Sequence, residues 1–225
     1  AYRPTRRCVL KLTDGEATRA FVKVVRPRVL PALVDRHELL TGAGVPSPRV
    51  LHHDASGLVV LSVAEGTPLA NFLARGLADP VATFDATMAV LDGLPGGVMD
   101  LKRHPSWSER VEHYAHAAAT ALPEHEGTAR AIAAAVTATM ASSDAGPLVP
   151  THGDWYEANI FMADEATVAS ILDVDSVGPG HRVDDVACLL GHVSVLPHLA
   201  PQVYPHVPAI LDAWWSRAAE SVDSR

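Results

Sequence analysis

Two cysteines in 225 residues, Cys8 and Cys188, are too few and too far apart for a disulfide framework. Lone thiols suit a reducing compartment, and the expected location is the cytoplasm. No apolar run approaches the roughly 20 residues needed to span a bilayer. The opening Ala1-Tyr2-Arg3-Pro4 has none of the features of a signal peptide, so no membrane partner and no secretion are expected. Positive charge is scarce as well. Lys and Arg number 18 against 26 Asp and Glu, a net charge of −8, which argues against nucleic acid as a partner. Internal repeats and disordered linkers are missing too.

What remains is an ordinary globular profile, 48% apolar and 20% charged, long enough for a real core in one large domain or two small lobes. Its charge is uneven. Residues 1–60 carry ten Lys/Arg against five Asp/Glu, and the rest carries eight against twenty-one. A basic front half suits phosphates, and an acidic back half suits a cationic or polyhydroxyl ligand. A solvated acidic surface explains the same distribution.

The most informative stretch runs from Val149 to Ala187. His152-Gly153-Asp154 is followed by Asn159 in the order H-x-D-x-x-x-x-N. The apolar run Ile160-Phe161-Met162 is turned by Asp164-Glu165-Ala166-Thr167 into a second run, Val168 to Leu172, with Asp173 at its end. Phosphoryl transfer needs charge neutralisation and alignment more than covalent help from the protein. One carboxylate must receive or orient the acceptor hydroxyl, a task for Asp154. An amide oxygen and a second carboxylate must hold Mg²⁺ against the phosphates, a task for Asn159 and Asp173. Magnesium prefers hard oxygen ligands and keeps several waters, so this sparse set suffices. A β-hairpin between Asn159 and Asp173 returns the chain to one place, so both oxygens can meet one ion.

H-G-D-x-x-x-x-N, the strand end Ile171-Leu172-Asp173-Val174-Asp175 and the segment Asp185-Val186-Ala187 together resemble the aminoglycoside phosphotransferase and choline kinase-like family. The resemblance covers most of the chain, closely from Pro150 to Ala187 and loosely elsewhere. It implies a two-lobed α+β, protein-kinase-like fold. A small antiparallel sheet with one helix would occupy residues 1–63, a hinge residues 64–68 and a mainly helical lobe residues 69–225. It also implies transfer of the γ-phosphate of ATP or GTP, with Mg²⁺, to a hydroxyl of a small molecule. Lys23, between Val22 and Val24, becomes the strand lysine that reaches the nucleotide phosphates; a lysine guarding a sheet edge is the competing reading. Glu38 would be the helix carboxylate that pairs with Lys23, with Asp35 as competitor. Backbone groups at the strand exit, Ser62 and Ala64, would receive the adenine, and Glu65-Gly66 with Leu69 matches the family's acidic-Gly-x-x-Leu turn. Asp185 matches the residue that braces the catalytic loop. Two departures stand out. No glycine-rich loop precedes the Lys23 strand, and the family usually carries more helix beyond Val222, so a member shortened at both ends or a fragment is expected.

Elsewhere, Thr13-Asp14-Gly15-Glu16 predicts a hairpin between strands at Arg7–Leu12 and Thr18–Val25. Helical spacing of Leu30, Leu33, Val34, His37 and Leu40 predicts a helix over Val29–Leu40, with Pro31 in its first turn and His37 packed inside. Short strands are expected at Arg49–His52 and Leu58–Val63. Ser106-x-x-Glu109 predicts a capping box. Gly178-Pro179-Gly180 reads as a sharp turn before a helix at Asp184–Val195. His113 and His116 lie three apart, but no further ligand set accompanies them. Two other functions compete with the small-molecule kinase. A nucleotide-binding pseudokinase or fragment acting as a binding module is favoured by the missing glycine loop and opposed by the intact Asp154–Asn159–Asp173 set. A protein kinase is weakened by Gly153 and by Asp-Val-Asp where such enzymes carry D-F-G.

Overall fold

The computed structural model describes residues 2–4 and 7–222. Its first sheet has the order β1-β2-β3-β5-β4, built from Tyr2–Arg3 (β1), Arg7–Asp14 (β2), Ala17–Val25 (β3), Val50–His53 (β4) and Leu58–Leu61 (β5). Every neighbouring pair is antiparallel. The hairpin turns at Gly15-Glu16, within the expected tetrad. Strand alternation puts Phe21, Lys23 and Val25 on one face, opposite Leu61 and Val59 of the neighbouring strand.

Helix α1 (Leu30–Gly42) packs on that face. Leu30, Leu33 and Val34 pack against Val25 and Val59, the burial that the helical spacing predicts, and Pro31 sits in the first turn. One further residue is buried that periodicity does not foretell. Arg36 is 3% exposed, with Nε donating to Val177 O at 2.9 Å and Nη1 to Ala32 O at 2.8 Å. A guanidinium with its donors satisfied can be buried where a bare charge cannot. His37 is packed as expected, Nδ1 lying 2.8 Å from Pro48 O.

The chain continues through Thr67–Pro68 (β6), Leu69–Arg75 (α2), Pro80–Asp92 (α3), Val111–Ala121 (α4), Glu126–Ser142 (α5), Leu148–Thr151 (β7), Ile160–Asp164 (β8), Thr167–Ile171 (β9), Gly178–His181 (β10), Arg182–Leu199 (α6) and Val207–Val222 (α7). Strands β6, β8 and β9 form a small sheet. Gly66 precedes it with φ +89°, and a Cβ there would lie 2.6 Å from Met162 O, so the Glu65-Gly66 turn admits only glycine. The capping box is formed: Ser106 N donates to Glu109 Oε2 at 2.8 Å and Glu109 N to Ser106 Oγ at 3.3 Å. Helices α4 and α5 pack on one another and bury little beyond Ala115 and Ala133.

Two expectations need correction. Gly178-Pro179-Gly180 is a strand, β10, antiparallel to β7. Pro179 faces Pro150 across this two-stranded ribbon, so the residues without N–H groups oppose one another and no ladder donor is missed. Helix α6 also runs beyond Val195 to Leu199 despite Pro197, which forgoes the hydrogen bond an N–H there would give to Val193 O.

The main core joins Leu40, Leu69, Phe84, Trp155, Ile160, Ile171, Leu189 and Trp214. The C-terminal turn of α1 thus reaches into the core of the helical part. Trp214 packs on Phe84 at 5.8 Å between ring centroids and donates through Nε1 to Pro80 O at 2.6 Å. No helix among the described residues is long and apolar enough to cross a membrane.

The adjacent tryptophans of α7 give a test of this packing. Trp214 is fully buried and Trp215 is 66% exposed. Trp214→Ala is expected to cost about 3–5 kcal/mol of stability, and Trp215→Ala no more than about 0.5 kcal/mol. Equal losses in a denaturant titration would contradict the helix orientation.

Candidate active site

The site is built around one buried carboxylate. Asp185, 1% exposed in the first turn of α6, accepts from His152 N at 2.9 Å through Oδ2 and from Gly153 N at 2.8 Å through Oδ1. Arg182 Nη1 stands 3.7 Å from Oδ2. Burial pushes the Asp185 carboxyl up to about 6, against the pull of the two N–H groups and Arg182. Gly153 has φ +77°, and a Cβ on it would lie 2.8 Å from Ser176 O. Both facts require glycine where protein kinases place arginine.

The loop that follows is stitched to the end of β9. His152 Nε2 lies 2.9 Å from Leu172 O, and a carbonyl only accepts, so Nε2 carries the hydrogen. Burial pushes this imidazole down to about 4 and keeps it neutral. Asn159 Nδ2 donates to Asp154 O at 2.9 Å, and Leu172 N donates to Asn159 O at 2.8 Å. With Nδ2 committed, Oδ1 is the atom Asn159 has to offer a ligand. Asp173 follows with φ +54°, the single non-glycine residue of positive φ among the described residues. Aspartate tolerates this conformation better than most residues.

The strand residues meet this segment from above. Lys23 Nζ lies 3.1 Å from Asp173 Oδ1 and 2.5 Å from Asp175 Oδ1. The Arg7 guanidinium grips Asp173 with Nη1 at 3.0 Å from Oδ1 and Nη2 at 3.2 Å from Oδ2, and Nη1 lies 3.5 Å from Asp175 Oδ2. Burial works upward on the Asp173 carboxyl, but Lys23 and Arg7 outweigh it and hold it below the ordinary range. Asp154 is half-buried. Burial first, then the charge of Asp173, raises its pKa, while His192 and the Trp107 side chain pull it back.

The expected Lys23–Glu38 pair is not formed. Glu38 is exposed on α1, and so is Asp35. The turn of α1 that faces the cleft presents His37, and Lys23 takes Asp173 and Asp175 as its partners instead. Lys23 is 6% exposed, which rules out the reading as a guard on a sheet edge. It sits on β3, an inner strand of the sheet.

A cleft of about 390 Å³ lies between the sheet and the loop, large enough for a cofactor-sized ligand. Its lining is apolar at Phe21, Leu61, Val63, Phe161 and Leu172 and polar at Arg7, Lys23, Asn159 and Asp173. Ser62 and Ala64 line it as well. Ser62 N–H is already taken by Arg49 O at 2.9 Å. Arg7, Trp107 and the Tyr156–His192 stack, at 4.3 Å between centroids, escaped the sequence reading, and Asp175 entered it only as part of the strand-end motif. Of those that escaped, only Arg7 left a trace there, as a strand residue two positions from Val9, which pairs with Lys23.

A carboxylate and an amide on one loop, a second carboxylate at a hairpin's end and a strand lysine above them are the parts of a kinase-type phosphotransfer site. The chain belongs to the phosphotransferase enzyme family, whose model matches residues 6–203. Among solved structures, it resembles aminoglycoside phosphotransferase APH(3'')-Id from Streptomyces rimosus, at 19% identity and TM-score 0.59, over 92% of this chain and 82% of that one. The complex of that protein with ADP and streptomycin matches at 21% identity and TM-score 0.60, over 93% and 82%. An aminoglycoside-3'-phosphotransferase of type VIII matches at 19% identity and TM-score 0.58, over 97% and 88%. These likenesses establish a shared protein-kinase-like fold. No curated protein matches the sequence.

The Asp185 brace makes a prediction with two signs. Protonation removes one acceptor oxygen, so the amide resonances of His152 and Gly153 should titrate with a midpoint near 6, the value to which burial raises Asp185, and Asp185→Asn should abolish the titration. Stability moves the other way. The folded pKa lies above the ordinary carboxyl value of about 4, so the native state takes up the proton first. This group's contribution therefore rises as pH falls from about 6 to about 4. Wild-type stability that drops relative to Asp185→Asn over that window would contradict the burial-driven shift.

Proposed function

We propose that this phosphotransferase moves the γ-phosphate of ATP or GTP to a hydroxyl of a small molecule. The observation that carries the reading is the convergence of Asp154, Asn159 and Asp173. The loop 152–159 and the hairpin β8–β9 hold them together through His152–Leu172 and Asn159–Asp154 hydrogen bonds. Asp154 is assigned the acceptor proton. Its pKa is raised by burial and by Asp173, a direction that favours proton uptake. Asn159 Oδ1 and the Asp173 carboxylate are hard oxygens in the lining of the cleft and fit a magnesium site. Mg²⁺ held there by Asn159 and Asp173 would supply positive charge against the phosphates.

The purine belongs against the apolar lining, between Phe21 and Leu172. The Ser62 carbonyl and the Ala64 N–H remain for its edge, since Ser62 N–H is committed to Arg49. Lys23 steadies the phosphates. Residues 1–63 then act as the nucleotide lobe, 64–68 as the hinge and 69–225 as the catalytic lobe. The neighbours with aminoglycoside in their names make such antibiotics the first acceptors to try. The unpaired thiols Cys8 and Cys188 suit a cytoplasmic setting.

The test is acceptor-dependent ADP release and ATP affinity, measured side by side with Mg²⁺ over a panel of aminoglycosides, amino alcohols and sugars. Asp154→Asn should lower kcat by about 10²–10⁴-fold, the usual worth of a positioned base, and leave ATP affinity near wild type. A loss below about tenfold in an active enzyme would remove Asp154 as the base. Asp173→Asn should abolish the magnesium dependence of the ATP-induced rise in Tm. A wild type that binds ATP but releases no ADP with any acceptor would favour the pseudokinase instead.

A further inference from the structure

Arg7 has no place in the catalytic motif, yet it is the group most closely engaged with Asp173. Val9 stands directly opposite Lys23 in the β2–β3 ladder, and Arg7 stands opposite Val25. Arg7 and Lys23 are therefore diagonal neighbours on one face of the sheet, and both belong to the polar lining of the cleft. Two cations there balance two carboxylates, Asp173 and Asp175.

A nucleotide triphosphate entering there brings negative charge that the balanced cluster does not answer. Kinases meet that need partly with backbone N–H groups of a glycine-rich turn between their first two strands. A guanidinium offers a planar fork that fits carboxylate and phosphate equally well.

We propose that Arg7 is a phosphate-binding residue of the nucleotide site. In the nucleotide-free protein its fork closes on Asp173. On binding, the fork moves to the oxygens of the nucleotide's β- and γ-phosphates and leaves the Asp173 carboxylate for the cation. The inference rests on the reading of the cleft as a nucleotide site.

The experiment is calorimetric titration of wild type, Arg7→Gln and Arg7→Lys with ATP, inorganic tripolyphosphate and adenosine, each with and without Mg²⁺. Arg7→Gln should weaken ATP and tripolyphosphate by about tenfold to a hundredfold, the worth of one to two charge-assisted hydrogen bonds, and leave adenosine unchanged. Arg7→Lys should recover part of the loss, because it keeps the charge and loses the fork. Unchanged affinity for the triphosphates overturns the proposal. Tighter binding by Arg7→Gln also overturns it, since Arg7 would then be a plug on Asp173. Parallel loss of adenosine affinity overturns it in favour of a structural role. A wild type that binds neither adenosine nor ATP defeats the reading of the cleft itself, and the role of Arg7 with it.

Discussion

Two hydrogen bonds to one buried carboxylate set the geometry of this molecule's working half. Asp185 lies in the first turn of α6, where the helix end favours negative charge. It holds His152 N and Gly153 N at the same moment. Burial opposes the charge, and the two N–H donors and Arg182 offset that cost only in part, which is why the carboxyl sits near 6. With the backbone at 152–153 held, the His152 ring reaches Leu172 O, and the loop closes through Asn159 onto Asp154. Asp154, Asn159 and Asp173 thus take their positions from a residue that is not among them.

The second constraint is charge. Asp173 and Asp175 stand two residues apart on one short segment and would repel each other if left alone. Lys23 and Arg7, from two strands of the sheet, answer both. Partly buried ions hold only when paired and hydrogen-bonded, so this cluster ties the sheet to the hairpin end. It also explains the exposure of Glu38. Helix α1 is rotated so that Arg36 and His37 point inward, satisfied by Val177 O and Pro48 O. Glu38, one residue further round the helix, faces away from the cleft.

Much of this was legible in the sequence because it follows local rules. The hairpin β8–β9 follows two apolar runs and a polar turn, the buried face of α1 follows helical spacing, and the capping box follows a three-residue interval. The juxtaposition of Asp154, Asn159 and Asp173 was legible because a short spacing and a strand return bring them to one place. Arg7 was not, since its partner Asp173 lies 166 residues away and no local pattern registers such a pair. Lys23 was found but given the wrong partner, because spacing places a carboxylate on α1 without fixing the rotation of the helix. The strand at Gly178–His181 was hidden by its Gly-Pro-Gly composition, which marks turns in most contexts and here serves a ribbon whose prolines face each other.

The left-handed conformation of Asp173 draws these constraints together. A non-glycine residue at φ +54° costs energy and persists only where its surroundings over-determine it. On its N-terminal side Leu172 N is held by Asn159 O, and Leu172 O by the His152 ring. On its C-terminal side Val177 O is held by Arg36, and Val177 N by Val174 O. The carboxylate itself is gripped by Lys23 and Arg7. Strands, helix and loop all contribute to these restraints. Backbone strain here marks the point on which the sheet, α1 and the hairpin converge, and the residue held there is the one whose oxygens face the cleft.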